Sequence, residues 1–164
     1  MATTYTLISS VTVGSGGAGT IVFSSIPSTY TDLVLKVAVM NSAAWIKFNT
    51  DTNTANYSAR VLRGSGSAAS SVTNAVWGYY LFSGYDSTSP IFTSHDIYIP
   101  NYAGSNQKSV SIDSVTEANA TTAYATLIAG LWSGTAAINQ ITVDGGGSNF
   151  AQHSTAYLYG ISNA

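Results

Sequence analysis

Apolar and polar residues alternate along most of this chain, and a period of two is the pattern of a β-strand with one buried face. In Asp32–Met40 the alternation places Leu33, Leu35, Val37 and Val39 on one side. Similar stretches rich in Val, Ile, Thr, Tyr and Phe recur at short intervals, and no stretch keeps the 3.6-residue period of a helix. The sequence therefore predicts an all-β protein.

Turn residues divide the chain into short strands. The predicted strands are Tyr5–Val13, Thr20–Phe23, Asp32–Met40, Trp45–Phe48, Tyr57–Leu62, Ala75–Phe82, Ile91–Ile99, Ser109–Val115, Ala123–Trp132, Ile138–Val143 and Thr155–Ile161. The predicted turns are Gly14–Gly19, Asn49–Asn56, Gly64–Ser71, Tyr85–Pro90, Asn101–Asn106 and Asp144–Asn149. Many short strands without helices close into two packed sheets, so we expect a jelly-roll-like antiparallel β-sandwich, with one domain spanning residues 1–164.

Two predicted strands, Ala75–Phe82 and Ala123–Trp132, carry large apolar side chains on both faces. In the second strand Leu127 and Leu131 lie opposite the face that holds Ile128. One face can fill the core, and the other must be covered by a loop of the same chain or by a neighbouring subunit. The pattern favours an oligomer.

Charge is scarce in this chain. Only 7% of the 164 residues are charged, with five Lys and Arg, seven Asp and Glu, and no Cys. This composition excludes a disordered chain, a coiled coil and a basic nucleic-acid binder, and it leaves no cysteine for disulfides or metal sites. Because basic residues are so few, we expect no nucleic-acid partner. No leader segment and no membrane-spanning run are apparent, so we expect no membrane partner either. A neutral surface rich in tyrosine is typical of protein interfaces.

No catalytic motif is convincing. The glycines Gly14, Gly16 and Gly19 match G-x-G-x-x-G, but a strand follows them where a dinucleotide site needs a helix, and a hairpin connection explains them better. His95 and Asp96 are adjacent in a strand and so point to opposite faces, which prevents a relay between them. No pair of carboxylates is singled out for sugar hydrolysis.

Candidate ligand sites are equally weak. Asp51, Asn53 and Asn56 resemble part of a calcium loop but fail the EF-hand pattern, and a turn capped by Asx side chains is the simpler interpretation. Two His without Cys make a zinc site improbable. We expect no catalytic residue, no cofactor and no metal, with a different kind of calcium site left as an alternative.

The candidate interface residues are aromatic or arginine side chains, the types that dominate contact energies. They are Trp45, Arg60, Arg63, Trp77, Tyr79, Tyr85 and Tyr102. The two arginines can equally be ordinary solvated cations. Trp45, Tyr85 and Tyr102 lie in or near predicted loops, where aromatic rings can also stack on sugars.

Two segments carry a family resemblance. Within Ile21–Ser58 the chain reads FSSIPSTYTDLVL, then FNTD, then NYS, and residues 156–161 read AYLYGI. These segments resemble small virion structural proteins of tailed bacteriophages, including those of cyanobacterial hosts. The resemblance implies a jelly-roll-like sandwich without enzymatic activity, often a homotrimer, which serves as a capsid decoration (cement) protein or as part of a tail fibre or spike.

Since the chain is one bare domain, we expect a decoration protein that is made in the host cytoplasm and lies on the outer capsid surface. It would bind the major capsid protein or another virion protein through neutral polar and aromatic contacts. The alternative is a receptor- or carbohydrate-binding head of a tail fibre or spike, with a host glycan as ligand. A glycan hydrolase is the third hypothesis.

Overall fold

A computed structural model of the chain describes residues 4–40, 44–74, 79–81, 91–117 and 123–162. Within these ranges the regular structure is β, apart from one turn of 3-10 helix at Thr54–Asn56. The strands are β1 Tyr5–Thr12, β2 Thr20–Phe23, β3 Asp32–Val39, β4 Ala44–Phe48, β5 Tyr57–Gly64, β6 Ala69–Asn74, β7 Tyr79–Leu81, β8 Thr93–Ile99, β9 Lys108–Thr116, β10 Tyr124–Trp132, β11 Ile141–Asp144 and β12 Thr155–Ile161.

The strands form two antiparallel sheets that pack as a β-sandwich. The large sheet has the order β1-β12-β3-β8-β9-β10-β5-β6, and the small sheet has the order β2-β11-β4-β7. The predicted all-β, single-domain sandwich is confirmed.

Eight of the strands follow a jelly-roll path. β1, β12, β3 and β8 are neighbours in the large sheet, and β2, β11, β4 and β7 make up the small sheet. Along this path the chain crosses between the sheets at every step except from β4 to β7, which is the winding of a jelly roll. Two hairpins, β5-β6 and β9-β10, are inserted into the path, and both extend the large sheet on the side of β8.

The core lies between the sheets and follows the predicted alternation. Leu33 and Leu35 of β3 are fully buried against the small sheet, whose Ile46, Phe48 and Ile141 are equally inaccessible. Complete burial of such a side chain contributes about 1.5–3 kcal/mol to folding. The alternation that predicted the strands is thus also the arrangement that stabilises them.

The predicted turn Gly64–Ser71 is too long. β6 begins at Ala69, which pairs with Gly64, and the turn between the strands is only Ser65–Ala68. The Ser65 hydroxyl group accepts a hydrogen bond from the Ala68 amide at 3.2 Å. A run of Ala and Ser is typical of a loop. Here these residues form a strand because their backbone pairs with β5, which is held in place by its own buried residues.

The interpretation of Gly14–Gly19 as a hairpin connection is also wrong. β1 pairs with β12 in the large sheet, whereas β2 pairs with β11 in the small sheet, so this segment crosses the end of the sandwich. Gly17 has a φ of 69°, in the left-handed region that favours glycine. Its amide donates a hydrogen bond to the Gly14 carbonyl at 3.0 Å, and Ala18 forms a bridge with Phe150.

Other predicted boundaries need smaller changes. The strand predicted over Ile138–Val143 is Ile141–Asp144, and Ile138 is a buried loop residue. Of Ala75–Phe82 the structure describes Tyr79–Leu81 as strand, and the predicted turn Tyr85–Pro90 lies outside the described residues.

A buried lysine ties two loops together at one end of the sandwich. The Nζ atom of Lys108 donates hydrogen bonds to the carbonyl oxygens of Gly104, at 2.7 Å, and Asn106 in one loop, and of Thr135, at 3.5 Å, in the other. It also lies 5.9 Å from the centre of the Trp132 ring. Burial lowers the pKa of this ammonium group below its ordinary value. Carbonyl oxygens and an aromatic face thus replace the water that the charge has lost.

A glycine of β12 makes room for an aromatic ring that packs against the core. Gly160 of β12 is buried, and a Cβ atom built on it would overlap the ring of Tyr30. The Tyr30 ring, and with it the loop before β3, can take this position only because residue 160 has no side chain.

Candidate functional site

The solvent-facing side of the large sheet, called here the outer face, carries many exposed apolar side chains. On β8, β9, β10 and β5 every second residue is buried against the core, and the residues between them point outward. The large hydrophobic residues exposed on this face are Tyr5, Leu7, Leu62, Tyr98, Val115, Leu127 and Tyr157. Contiguous exposed apolar surface of this kind marks interaction sites.

One part of the outer face is aliphatic. Leu62, Val115 and Leu127, called here the leucine patch, are 54%, 45% and 54% exposed. Leu62 and Leu127 are cross-strand partners, and a groove of about 460 Å³ runs beside them, lined also by Arg60 and Ala129. The whole patch lies on the two inserted hairpins.

The other part of the outer face is aromatic and lies on jelly-roll strands. The tyrosine patch consists of Tyr5, Leu7, Tyr98, Tyr157 and Tyr159. Leu7 and Tyr159 are cross-strand partners, and the ring of Tyr5 stands edge-on to Tyr159 with 6.4 Å between ring centres. These side chains offer both apolar surface and hydroxyl groups to a partner.

The tyrosine patch is held in place by its own contacts. Val34 points outward but is buried, because Tyr98 and Tyr159 are its partners on the two neighbouring strands. The Tyr98 hydroxyl group donates a hydrogen bond to the Asp32 carboxylate at 2.8 Å, which raises the pKa of Tyr98. Asp32 in turn accepts a hydrogen bond from the Asn101 amide at 2.8 Å.

Charges on the outer face are unevenly compensated. Lys36 forms an ion pair with Asp96, and Asp96 lies directly opposite Asp113 on the next strand. Like charges at opposed positions of a sheet are unfavourable, and the single lysine is paired with only one of the two carboxylates. Among the described residues, neither Asp113 nor Arg60 takes part in an ion pair.

The two predicted arginines are not brought together. Arg60 is exposed on the outer face, whereas Arg63 points to the inner side of the sheet with its guanidinium group 4.8 Å from the centre of the Tyr124 ring. Residues three apart in a strand lie on opposite faces, so their spacing excluded a shared site.

The other interface candidates are scattered. Trp45 is half-buried on the side of the small sheet that faces away from the core. Tyr79 belongs to the described backbone of β7, while Trp77 and Tyr85 lie outside the described residues.

Tyr102 was predicted as a surface residue, and this prediction is wrong. Its side chain is fully buried, and its hydroxyl group donates a hydrogen bond to the Pro27 carbonyl and accepts one from the Tyr30 amide at 3.4 Å. Burial raises the pKa of the phenol. Tyr102 therefore joins two loops beneath the surface, where neither a protein partner nor a sugar can reach it.

A serine–histidine pair does exist, but it is sealed in the core. The Nδ1 atom of His95 lies 2.7 Å from the Ser114 hydroxyl oxygen, and Nε2 lies 2.9 Å from that of Thr93. His95 is 1% exposed, and Asp96 points to the opposite face, as expected. A substrate cannot reach this serine, so the pair has a structural role.

The Asp51 loop uses its oxygen atoms internally. Asp51 accepts hydrogen bonds from the Trp132 indole at 2.8 Å, the Asn56 side chain at 2.7 Å and the Asn53 amide at 2.9 Å. Burial raises the pKa of Asp51, but these hydrogen bonds outweigh it and the pKa is lowered overall. Asn53 also caps the 3-10 turn through the Ala55 amide. The interpretation as an Asx-capped turn is confirmed.

Among the described residues, no cluster of three or more His, Asp or Glu side chains is positioned to hold a metal ion. Nor does that part of the chain contain a helix long and apolar enough to cross a bilayer. Comparison with known proteins gives no further guide, since no family model matches the chain and no curated protein or solved structure is significantly similar to it.

Part of the outer face could have been found from the sequence. The predicted strand Ala123–Trp132 has apolar residues on both sides, and of its two outward leucines Leu127 is exposed, whereas Leu131 is half-buried. The neighbours of Leu127, which are Leu62 and Asp113, were missed because they are brought beside it by strand pairing between distant segments. No local pattern specifies that pairing.

Proposed function

We propose that this chain is a non-enzymatic structural protein of a bacteriophage virion, of the capsid decoration type, which binds the outer surface of the shell through its tyrosine patch. The observation that carries the proposal is the exposed aromatic surface on a sheet that no described part of the chain covers. Tyr5 and Leu7 are both more than half exposed there. Burial of such surface yields about 25 cal/mol per Å².

The electrostatics of the tyrosine patch favour a neutral partner surface. Lys36 and Asp96 compensate each other, and the Asp32 carboxylate is occupied by hydrogen bonds from Tyr98 and Asn101. The carboxylates of Asp32 and Asp96 are thus already engaged within the chain, and Asp113, which has no ion-pair partner among the described residues, lies on β9, outside the patch. This agrees with the resemblance of the Ile21–Ser58 segment to phage virion proteins, which supplies the identity of the partner as a capsid or other virion protein.

Binding to purified phage particles tests the proposal. The double variant Leu7→Ser/Tyr157→Ser removes apolar surface from the patch at exposed positions, and we expect it to bind particles at least about tenfold more weakly. Val22→Ser is the matched control, because Val22 is 46% exposed on the small sheet, on the other side of the molecule. Raising NaCl from about 0.1 to 0.5 M should change the binding less than about threefold, since apolar contacts are not screened.

Two results would refute the proposal. One is absence of the protein from particles and failure of the purified protein to bind them. The other is equal weakening by the control and the patch variant, which would show that the tyrosine patch is not the contact.

Glycan binding is a second candidate, favoured by one feature. Tyr98 and the carboxylates of Asp96 and Asp113 line a shallow groove of about 470 Å³ on the outer face. An exposed ring beside carboxylate acceptors is an arrangement that can hold a sugar. Saturable binding to one class of host polysaccharide, abolished by Tyr98→Ala, would favour a receptor-binding head over a decoration protein.

A further inference from the structure

The leucine patch is the part of the outer face that the proposed shell contact does not use. Leu62, Val115 and Leu127 lie on three neighbouring strands, β5, β9 and β10, and each is close to half exposed or more. The patch thus needs an occupant of its own, and the charges around it indicate which one.

Two charged side chains flank the leucine patch on opposite sides. Asp113 on β9 is the cross-strand partner of Leu127, and Arg60 on β5 is the cross-strand partner of Ala129, two residues further along β10. The two charges are therefore separated by the width of β10, about 10 Å across the sheet, and by two residues, about 7 Å, along it. Neither has an ion-pair partner among the described residues.

A cation from a partner would be favourable next to Asp113. Asp113 lies opposite Asp96, whose charge is already paired with Lys36, so it adds a second negative charge at this place. Arg60 lacks an anion, since the one hydrogen bond that its guanidinium group makes within the described chain goes to the neighbouring Ala59 carbonyl, at 3.3 Å. A partner that suits both must carry an anion and a cation on either side of an apolar surface.

We infer that the partner is a second copy of this chain, packed face to face on the leucine patch. A two-fold axis that lies between the two outer faces and crosses β10 obliquely, midway between Leu127 and Ala129, exchanges the positions of Asp113 and Arg60. It places Arg60 of each copy over Asp113 of the other, with Leu62 and Leu127 of both copies between the two ion pairs. An isologous contact of this kind makes every complementary pair twice.

The test is charge reversal, read by sedimentation velocity. The wild-type protein should dimerise in about 0.1 M NaCl, and concentrations up to about 200 µM should be covered because a patch of this size predicts modest affinity. Arg60→Asp and Asp113→Arg should each raise the dimer dissociation constant by about 100-fold or more, since each opposes like charges twice. The double variant Arg60→Asp/Asp113→Arg should restore dimerisation, because the pairs re-form with exchanged signs.

A matched control uses the other ion pair of the same face. The double variant Lys36→Asp/Asp96→Lys keeps a pair within the chain, and we expect it to dimerise like the wild type. All four substituted positions of the two double variants are exposed, so the fold should persist, and circular dichroism checks this.

Several outcomes would overturn the inference. These are a wild-type monomer throughout the concentration range, a dimer or trimer that the single reversals do not weaken, or a double variant that stays monomeric. Because Tyr98 of the tyrosine patch also lines the groove beside the leucine patch, particle binding is measured for the wild type and for the monomeric Arg60→Asp variant. A wild-type monomer that binds particles refutes only the two-fold contact, and a wild-type dimer whose monomeric variant also fails to bind particles refutes only the proposed function.

Discussion

Protonation of His95 should make the fold sensitive to mild acid. The buried ring is neutral, because burial lowers its pKa from the ordinary 6.5 to about 4. Its hydrogen bonds also specify a tautomer. The Thr93 hydroxyl group donates its one hydrogen to the Val39 carbonyl at 2.9 Å, so it must accept from Nε2–H, and Nδ1 is left to accept from Ser114.

The size of the effect follows from linkage. Below pH 6.5 the unfolded chain binds a proton at His95 that the folded chain does not, so stability falls as the pH falls from about 6.5 towards 4 and is fully present above that range. With these two pKa values, the free energy of unfolding should decrease by about 2 kcal/mol between pH 7.5 and 5.0 and by about 3 kcal/mol at pH 4. No discount for solvent screening applies, because the ring is inaccessible.

Urea unfolding at several pH values, followed by tryptophan fluorescence, measures this dependence. The comparison should stop at pH 5.0, because Asp51 and Asp144 have lowered pKa values and lose their stabilising contribution in more acidic solution. His95→Gln should be less stable at pH 7.5 but lose less than about 0.5 kcal/mol on going to pH 5.0. His153→Gln is the control, since His153 is exposed in the turn before β12, and it should keep the wild-type dependence.

The reasoning fails if the wild-type protein loses less than about 0.5 kcal/mol between pH 7.5 and 5.0. It also fails if His95→Gln retains the full pH dependence, because the proton uptake would then belong to another group.

Three further substitutions test contacts that hold the loops. Gly160→Ala should lower the free energy of unfolding by about 1–3 kcal/mol, because the new methyl group displaces the Tyr30 ring. Gly14→Ala is the control: the position has open space around it, so this variant should change the free energy of unfolding by less than about 0.5 kcal/mol. Urea unfolding compares the two variants. Asp51→Ala should lower the free energy of unfolding by about 2–4 kcal/mol, since it leaves the donors of the loop without an acceptor. Millimolar Ca²⁺ should leave the melting temperature of the wild type unchanged, and an increase of several degrees would contradict the Asx-turn interpretation. Lys108→Met should lower stability by about 1–3 kcal/mol, because the carbonyl oxygens of Gly104 and Asn106 lose their donor. A gain in thermal melting temperature would show that burying the charge costs more than its hydrogen bonds return.

The strands were predictable where the core enforces the alternation. β2 and β12 have the predicted bounds, because each has a buried face and turn residues at both ends. β6 was not predicted, since its Ala and Ser residues carry no core face and the strand exists by pairing with β5. The alternation of apolar and polar residues indicates which strands have a buried face. It does not indicate edge strands such as β6, which have none.

Candidate residues could be named by type but not placed. Tyr102 sits among turn residues, which indicated exposure, yet the loop folds inward and its hydroxyl group meets Pro27, a residue 75 positions away. The opposition of Asp96 and Asp113 depends on the register of β8 against β9, in which a shift of one residue would point one carboxylate inward. The opposition of the two carboxylates depends on pairing between distant segments, so it cannot be predicted from the local sequence pattern.

The division of the outer face follows the construction of the fold. The tyrosine patch lies on β1, β12 and β8, which belong to the jelly roll, while Arg60, Leu62, Asp113 and Leu127 all lie on the inserted hairpins. A jelly roll without the insertions would keep its tyrosine patch, but it would lose the proposed surface for a second copy together with the core residues that the hairpins supply, such as Ile112 and Trp132. The proposed shell contact and the proposed self-contact lie on different strands, so either surface could change by substitution without altering the residues of the other.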